Sequence, residues 1–367
     1  MSDTTSVGPP IQLPVLDISN PNDPAVGKAM LDAATKYGFL YVDSKGTDFT
    51  AEDVQRAFDQ SKAFFASPAQ DKETCRIQSN NRGWSGMHTE TLDPEHQRTG
   101  DFKEAMNFGE FKDGKAQQPL PPSLAPQETQ IGHFAELCNK TCARILKLLA
   151  LGLQIPDDFF TSRHDSTQAQ QAASSATYTT PPFPARKPPR QPGLEILTSH
   201  EEGTWAPVPV QPWASADASA DEETSRTQHH HHAFPPPILV NIGDLLSYWT
   251  DGLLKSTVHR VVFPLSEQRS PSPSPSAEDR YSIAFFCHPL DATELVPVPS
   301  EVVRVYREER GERGLRPEEK VGFGGGAGGL EPGRRALTAS EHLMSRLNAT
   351  YSFREGGSSA AAAAAAV

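Results

Sequence analysis

The sequence predicts a mainly β fold with helices, in which a mixed α/β region precedes a β core. On the N-terminal side, apolar residues recur at helical spacing in Ala25 to Tyr37, Ala51 to Phe65 and Ile131 to Leu153. On the C-terminal side, short apolar blocks follow one another with turn residues between them and no helical pattern. Such a succession is typical of a closed or double-sheet β architecture.

The N-terminal region begins with a short strand at Leu13 to Ile18, ahead of the first helix. Gly38 ends that helix, and the apolar run Phe39 to Val42 predicts a buried strand. Thr50 is the expected N-cap of the second helix, because Asp53 stands three residues later as in a capping box.

The second half contains five strand-like blocks. These are Leu194 to Leu197, Trp205 to Val210, Ile238 to Ile242, Val258 to Phe263 and Arg280 to Phe286. Between the third and the fourth block, Asn241 to Gly252 is expected to form the end of a strand and two turns.

Composition excludes several classes of protein. A net charge of −12 over 367 residues argues against a nucleic-acid partner, whose phosphates would repel the chain. The most apolar run, Ile145 to Leu153, is too short to span a membrane and contains a lysine. The start lacks the pattern of a signal peptide, and the four cysteines have no disulfide spacing. We therefore expect a cytoplasmic monomer with no membrane partner.

The candidate binding residues lie in the last two strand-like blocks. Arg280 and Ser282 are two apart, so a strand presents both side chains on one face. A guanidinium beside a hydroxyl is a suitable anchor for a dicarboxylic acid. His259 begins another apolar segment and would reach a metal from a neighbouring strand. Taken singly, these residues also fit a buried structural histidine and a solvated arginine.

Three motifs resemble one enzyme family. Asn81 to Glu90 is a loop with an arginine and glycines, Asp101 to Phe108 contains an Asp-x-Lys-Glu strand, and Asn241 to Gly252 matches at nearly every position. With the histidine and the Arg-x-Ser motif, they resemble the Fe(II)- and 2-oxoglutarate-dependent dioxygenases, specifically the isopenicillin N synthase-like branch. The resemblance covers about Leu13 to Phe160 and Gly193 to His288.

The resemblance implies a double-stranded β-helix, or jelly roll, as the core. It also implies Fe(II) as cofactor, 2-oxoglutarate as co-substrate and oxidation of a small-molecule substrate. In the family, two histidines and one carboxylate hold the iron and leave sites open for the keto acid and O₂. His259 matches the second of these histidines, and Arg280 with Ser282 matches the anchor of the keto acid.

The other two metal ligands are missing from the expected place. In the family they form a His-x-Asp or His-x-Glu motif, which should lie ahead of Gly193. No histidine occurs between His164 and His200, and the proline density before Gly193 argues against a central strand. We therefore expect residues 161–192 to be an irregular segment that replaces the expected strands.

Three substitutes for the missing ligands can be considered. His164 and Asp165 are adjacent, and the family has the same pair outside its metal site. His200 and Glu202 fit His-x-Glu, but they fall where the resemblance places a solvent-facing turn. His229 to His232 form a His-rich tract in an acidic insert, which is not a preorganised site. None of the three convinces as a ligand pair.

The expected domain organisation follows from these observations. It consists of a disordered start (1–12), an N-terminal non-haem dioxygenase region (13–160), the irregular segment (161–192), a jelly-roll domain (193–290) with inserts 212–237 and 266–279, a C-terminal extension (291–354) and a disordered tail (355–367). Two hypotheses of function remain open: an oxygenase with impaired catalysis, and a non-catalytic remnant or mis-spliced gene model of one.

Overall fold

Helices and short strands alternate along the part of the chain that the structure, a computed structural model, describes. The described residues are 8–89, 101, 103–164, 175–182, 193–199, 203–210, 212, 235–262, 279–313 and 335–351. The helices are α1 (Pro24–Lys36), α2 (Ala51–Phe65), α3 (Ala69–Glu73), α4 (Glu128–Gly152), α5 (Asp244–Trp249), α6 (Glu301–Arg313) and α7 (Ala339–Tyr351). The strands are β1 (Val15–Leu16), β2 (Phe39–Val42), β3 (Gly83–Ser85), β4 (Glu104–Phe108), β5 (Phe111–Lys112), β6 (Lys115–Ala116), β7 (Ser175–Pro182), β8 (Leu194–Ser199), β9 (Thr204–Pro207), β10 (Ile238–Asn241), β11 (His259–Val261) and β12 (Asp279–Phe285).

The N-terminal elements confirm the helices and the buried strand that the sequence predicts. The side chain of Asp23 caps α1 by accepting a hydrogen bond from the Ala25 amide at 2.8 Å. Thr50 and Asp53 form the capping box of α2, since each side chain accepts from the other residue's backbone amide at 3.1 Å. All four residues of β2 are buried. Local side-chain patterns therefore determine this region well.

The main hydrophobic core joins the two halves of the chain. β2 pairs in parallel with β1 and antiparallel with β10, so a strand of the second half completes the N-terminal sheet. Around this sheet, α1 and α4 pack on one another and contribute Met30 and Leu148 to the core. Trp249 at the end of α5 is buried in the same core. The N-terminal sheet and the main core therefore contain residues of both halves of the chain.

A second sheet has the order β12-β7-β4-β3, and it corrects one prediction. Residues 161–192 were expected to be irregular, but residues 175–182 form the strand β7. This strand is antiparallel to β12 on one side and to β4 on the other. The rest of the segment is described only over 161–164, where Thr161–Arg163 is a 3₁₀ turn.

The position of the prolines explains why β7 forms despite them. β4 pairs with β7 only from Ser175 to Thr179, and Pro182 lies beyond that ladder, opposite Asp279 of β12. A proline lacks the amide hydrogen that a ladder requires, so it is tolerated where the pairing on that side has ended. The prediction from proline density was wrong because both prolines of β7 stand at its end.

The third sheet, β11-β8-β9, contains three of the predicted strand blocks. All five blocks form strands, but they belong to three separate small sheets among the described residues. The turns expected between β10 and β11 include the helix α5, so that prediction was wrong in detail. The predicted inserts 212–237 and 266–279 lie largely outside the described residues.

The C-terminal extension contains α6 and α7, and it docks through backbone contacts. Thr338 forms a β-bridge with Glu294, and the Leu295 amide donates to the Leu337 carbonyl at 2.8 Å. Within the described residues, none of the helices has the length and apolar character that crossing a bilayer requires.

Candidate functional site

β11 presents His259 on one face of its sheet. His259 lies opposite Ile196 of β8, and its imidazole meets the ring of Phe39 edge-on at 5.5 Å. The Nδ1 atom is 3.0 Å from the Thr257 carbonyl oxygen, which can only accept. This contact favours the tautomer in which Nδ1 carries the proton and Nε2 has the lone pair. The side chain is exposed, so an imidazole in the tautomer that suits a metal ligand faces open space.

β12 separates its side chains onto two faces. Tyr281 lies against Phe65 of α2, with ring centroids 6.5 Å apart, and Phe285 packs beside Leu137 of α4. Because side chains alternate along a strand, Ser282 faces away from these helices. The pairing of β12 with β7 is irregular between Asp279 and Tyr281, at Arg280, so the shared face of Arg280 and Ser282 stays a prediction.

His259 and Arg280 do not come from hydrogen-bonded neighbouring strands, which corrects the expected arrangement. Among the described strands, β11 pairs with β8 and β12 pairs with β7, in two different sheets. The side chain of Arg280 nevertheless comes close to Gly193, which precedes β8, and to Val261 of β11. A Cβ placed on Gly193 would lie 3.5 Å from Arg280 Nε and 3.6 Å from Val261 Cγ1, so both atoms border the same point.

The position beside Gly193 that Arg280 and Val261 both border also indicates where Arg280 lies relative to His259. Val261 is two residues beyond His259, so both side chains lie on the same face of β11. The Val262 amide donates to the Gly193 carbonyl at 2.8 Å and holds the first residue of the β8 segment in place. A Cβ at position 193 would make ordinary van der Waals contacts with these atoms. The Nε atom of Arg280 therefore lies near Val261, on the face of β11 that also carries His259.

Burial sets the electrostatics of the arginine. Removal from water lowers the pKa of Arg280, because the low-dielectric surroundings disfavour its charged form. An arginine still remains protonated at neutral pH. A half-buried cation attracts a carboxylate more strongly than an exposed one does.

The opposite face of β11 carries an ion pair that was not predicted from the sequence. Glu195 of β8 is only 5 % exposed, and Arg260 lies across from it with Nε 3.0 Å from the carboxylate. The guanidinium of Arg260 also stacks over the ring of Trp205 at 3.9 Å. Only the pairing of three strands brings these residues together. This cluster stabilises the sheet on the side away from His259.

A row of residues across the second sheet shares the Ser282 face. Ser282 lies opposite Tyr178 of β7, which lies opposite Ala105 of β4 in the register. The backbone register across β7 therefore puts Ala105, and Asn107 two residues further, on the Ser282 face of the sheet.

Asn107 places a polar atom on this face. The residue is 1 % exposed, and its amide nitrogen donates to Asn81 Oδ1 at 3.0 Å. Its own Oδ1 is buried and has no hydrogen-bond partner among the described residues. A buried amide oxygen is costly to leave unpaired, so this atom favours a bound water or ligand beside it. No local sequence signal distinguishes Asn107 from its neighbours.

The described residues do not complete an iron site. Three or more His, Cys, Asp or Glu side chains do not come close enough to hold a metal anywhere in the described ranges. A facial triad requires two further protein ligands beside His259. His200, Glu202 and the tract His229 to His232 lie outside the described residues. Of the three protein ligands that the family uses for iron, the described residues therefore provide a match for one, His259.

His164 is half-buried and lies against the hydrophobic core, away from the candidate site. Its Nδ1 is 2.7 Å from the Phe160 carbonyl oxygen, and its ring lies 6.5 Å from that of Trp249. Burial lowers the pKa of His164 to about 4, so the ring is neutral at physiological pH. Asp165, its predicted companion, is outside the described residues.

Two family models match the chain, one in its N-terminal part and one in its C-terminal part. Residues 13–128 match the non-haem dioxygenase in morphine synthesis N-terminal family, and residues 213–289 match the 2OG-Fe(II) oxygenase superfamily. The chain therefore belongs to the Fe(II)- and 2-oxoglutarate-dependent oxygenases. Fe(II) and 2-oxoglutarate are the cofactor and the co-substrate of this family, as the sequence predicts.

Curated relatives agree with this assignment. The chain is 28 % identical over 314 residues to the UPF0676 protein of Schizosaccharomyces pombe, covering 79 % of this chain and 86 % of the relative. It is 25 % identical over 296 residues to the 2-oxoglutarate-dependent dioxygenase htyE of Aspergillus rugulosus, covering 75 % and 85 %.

Solved structures share the fold. A 2OG-Fe(II) oxygenase family protein from Caulobacter crescentus superimposes with a TM-score of 0.61 at 20 % identity, covering 94 % of this chain and 99 % of that one. The dioxygenase for auxin oxidation in rice gives a TM-score of 0.51 at 17 % identity, covering 84 % and 98 %. At these identities the likeness concerns the fold alone.

Proposed function

We propose that the protein is a 2-oxoglutarate- and Fe(II)-dependent oxidoreductase that acts on a small organic molecule, with catalysis impaired in this chain. Family membership and relatives named as 2-oxoglutarate-dependent dioxygenases support the reaction class. The proposal includes a jelly-roll core and the isopenicillin N synthase-like branch, on the strength of the motifs in Asp101 to Phe108 and Asn241 to Gly252. It also includes a cytoplasmic location, which the cysteine spacing supports.

One observation carries the proposal, the reach of Arg280 from β12 to the His259 face of β11. In this position the guanidinium would pair in bidentate fashion with the distal carboxylate of 2-oxoglutarate. Ser282, on the same face of β12, would donate a further hydrogen bond to that carboxylate. The keto acid would then extend towards His259, whose Nε2 is available as a ligand.

The alternative is a non-catalytic remnant, or the product of a mis-spliced gene. It is favoured by the absence of a second and a third metal ligand around His259 within the described residues. An iron held by a single histidine would bind weakly, because affinity rises with the number of ligands fixed in place. The two hypotheses share the keto-acid anchor and differ in the metal.

The anchor is tested by measuring 2-oxoglutarate binding to the full chain by calorimetry. Replacing Arg280→Ala removes the charged partner of the carboxylate, so the affinity should fall at least about tenfold. Ser282→Ala should weaken binding by a smaller factor. Arg56→Ala, which removes an exposed arginine of α2, is the matched control and should leave the affinity unchanged. Equal affinities in wild type and Arg280→Ala would reject the anchor.

The metal distinguishes the two hypotheses. Anaerobic titration with Fe(II), followed by measurement of succinate release in air, tests the full chain directly. A tight one-to-one site that His259→Ala abolishes would support the oxygenase and exclude the remnant. Failure to saturate with iron would support the remnant. Translation of the genomic region around codons 165 to 193 in all frames adds a second readout, since a His-x-Asp strand found there would identify a mis-spliced product.

A further inference from the structure

A small cavity lies between the second sheet and the helices that cover it. Residues of β4, α2 and α4 form its walls, together with Ile283 of β12. Tyr281, two residues before Ile283, lies against Phe65 of α2, so Ile283 projects from the same side of β12. The cavity is therefore on the helix side of the sheet, and its lining includes neither Arg280 nor Ser282.

Two small side chains of α2 leave this space open. Ala57 and Ser61 are four residues apart, so both project from one side of the helix, and both line the cavity. The next turn on this side carries Phe64, which is large and fully buried. The change from small to large side chains along α2 therefore determines where the helix and the sheet are not in full contact.

The lining of the cavity is mainly apolar. It consists largely of aromatic and aliphatic side chains, among them Phe64, Phe65, Phe108, Leu124, Ile131 and Phe134. The Ser61 hydroxyl donates to the Ala57 carbonyl oxygen at 2.8 Å, so its hydrogen is already used. A buried water needs about two to four polar partners, which such walls do not provide. The cavity therefore favours an apolar ligand.

The size of the cavity limits what it can hold. Its volume is about 40 Å³. Pockets for organic substrates measure roughly 300 Å³ or more, and an apolar cavity that takes up benzene measures roughly 150 Å³. The space therefore suits an apolar molecule of very few atoms.

Gln60 lies between the cavity and the protein surface. Its side chain lines the cavity and also borders an open groove along α2, which Gln55, Arg56 and Gln127 border as well. Side chains near the surface change rotamer within nanoseconds. Rotation of Gln60 therefore gives a small molecule access from the groove without any movement of the backbone.

We propose that this cavity is a binding site for dioxygen. Dioxygen is apolar and has only two atoms, so it satisfies both the polarity and the size of the space. Its use in catalysis rests on the proposed function, because an oxygenase consumes dioxygen. A molecule held beside Ile283 of β12 is separated from the Ser282 face by the thickness of one sheet.

The paramagnetism of dioxygen provides the test, since it accelerates the relaxation of methyl groups that it contacts. The full chain, without iron or 2-oxoglutarate, carries ¹³C in its methionine methyl groups and is measured under oxygen and under nitrogen at the same pressure. Met106 lines the cavity and is 1 % exposed, whereas Met30 is 0 % exposed in the main core and serves as the internal control. We expect the oxygen-induced relaxation rate of Met106 to be at least about twice that of Met30, because a cavity admits the gas and a packed core does not.

Two variants of α2 make the assignment specific. Ala57→Leu fills the cavity and should reduce the oxygen effect on Met106 to the level of Met30. Ala63→Leu, which enlarges an exposed side chain of the same helix, is the matched control and should retain the effect. If Ala57→Leu does not fold, the comparison of Met106 with Met30 in the wild type decides alone.

Equal rates for Met106 and Met30 in the wild type would overturn the proposal, and so would an unchanged rate for Met106 in folded Ala57→Leu. The measurement requires neither iron nor keto acid. A negative result therefore leaves the calorimetric test of the anchor intact, and failure of the anchor leaves this result intact.

Discussion

At the scale of the residue, the Glu195 and Arg260 pair shows how a buried charge is held in this protein. Glu195 is almost without solvent contact, and Arg260 supplies both its counter-charge and a stacking contact with Trp205. Removing one partner of such a pair leaves an uncompensated charge, which is more costly than removing both.

The first prediction follows from this asymmetry. Arg260→Leu should lower the free energy of unfolding by about 2 kcal/mol, less than for a fully buried pair because Arg260 is partly exposed. The double variant Arg260→Leu with Glu195→Leu should recover most of that loss. Urea unfolding followed by circular dichroism measures both. Additive losses in the double variant would show that the pair does not couple.

The residues of the candidate site were predictable only in part. The spacing of Arg280 and Ser282 is local, so a regular strand would place both on one face, but the pairing of β12 is irregular between Asp279 and Tyr281. The pairing of Glu195 with Arg260 spans 65 positions in the sequence and depends on strand register. Whether the Asn107 Oδ1 atom finds a hydrogen-bond partner depends on which groups pack over the sheet. Neither the ion pair nor the unpaired oxygen can be predicted from the neighbouring residues in the sequence.

At the scale of the element, α1 and α4 pack more closely than side chains would allow. A Cβ on Gly152 would lie 2.4 Å from the Gly27 carbonyl oxygen, and one on Gly27 would lie 2.9 Å from the Leu148 carbonyl oxygen. Both obstacles are backbone atoms, which cannot rotate away. The two glycines therefore set the distance between the helices.

The second prediction concerns this contact. Gly152→Ala should destabilise the protein by about 3 kcal/mol, since overpacking forces the helices apart. Gly311→Ala is the matched control, because Gly311 lies in α6 with no atom within 4 Å of the added methyl group. The control should be neutral or stabilising by up to about 1 kcal/mol, since alanine favours a helix over glycine. Thermal unfolding of both variants tests the difference, and equal shifts would contradict it.

The elements themselves were predicted with unequal success. α1, α2 and α4 depend on the periodicity of their own apolar residues, so the sequence alone locates them. β7 was missed because its prediction depended on how many prolines the segment 161–192 contains and not on where they stand in the ladder. α5 was missed because six residues are too few to show a helical period.

At the scale of the whole molecule, three histidines affect one another's charge, of which His342 is buried and His164 and His288 are half-buried. His164 follows α4, His288 follows β12, and His342 lies in α7 with its ring 5.4 Å from that of Tyr248. His342 is 4 % exposed, and its Nε2 has no hydrogen-bond partner within the described residues. Burial lowers the pKa of all three.

Charges around these histidines act in both directions. Asp244, which pairs with Arg346 of α7 at 2.7 Å, raises the pKa of His342 and of His288, and Asp291 also raises that of His288. Arg346 and the neighbouring imidazole of His288 lower the pKa of His342. Desolvation is the largest cause in each case. The folded protein therefore disfavours the charged form of all three rings.

The third prediction is a loss of stability in mild acid. The ordinary histidine pKa is 6.5 and that of folded His164 is about 4, so the unfolded chain takes up more protons between these values. The free energy of unfolding therefore falls as the pH drops through this window. From pH 7.5 to 5.0, His164 alone should account for about 2 kcal/mol.

Urea unfolding at both pH values measures the effect. His164→Gln should remove that part of the pH dependence, because glutamine stays neutral. His133→Gln, which changes an exposed histidine of α4, should keep the full dependence of the wild type. A pH dependence that is the same in all three proteins would contradict the assignment to His164.

The interior position of β7 has a consequence for the integrity of the chain. Among the described strands, it is the sole hydrogen-bonded link between β12 and the N-terminal strands β4 and β3. Cleavage or loss of residues 175–182 would therefore divide the sheet and leave β12 and β4 as strands with unpaired edges. Unpaired edges template association with other chains. A chain damaged at β7 should therefore aggregate, and its loss of solubility should precede any measurable change in ligand binding.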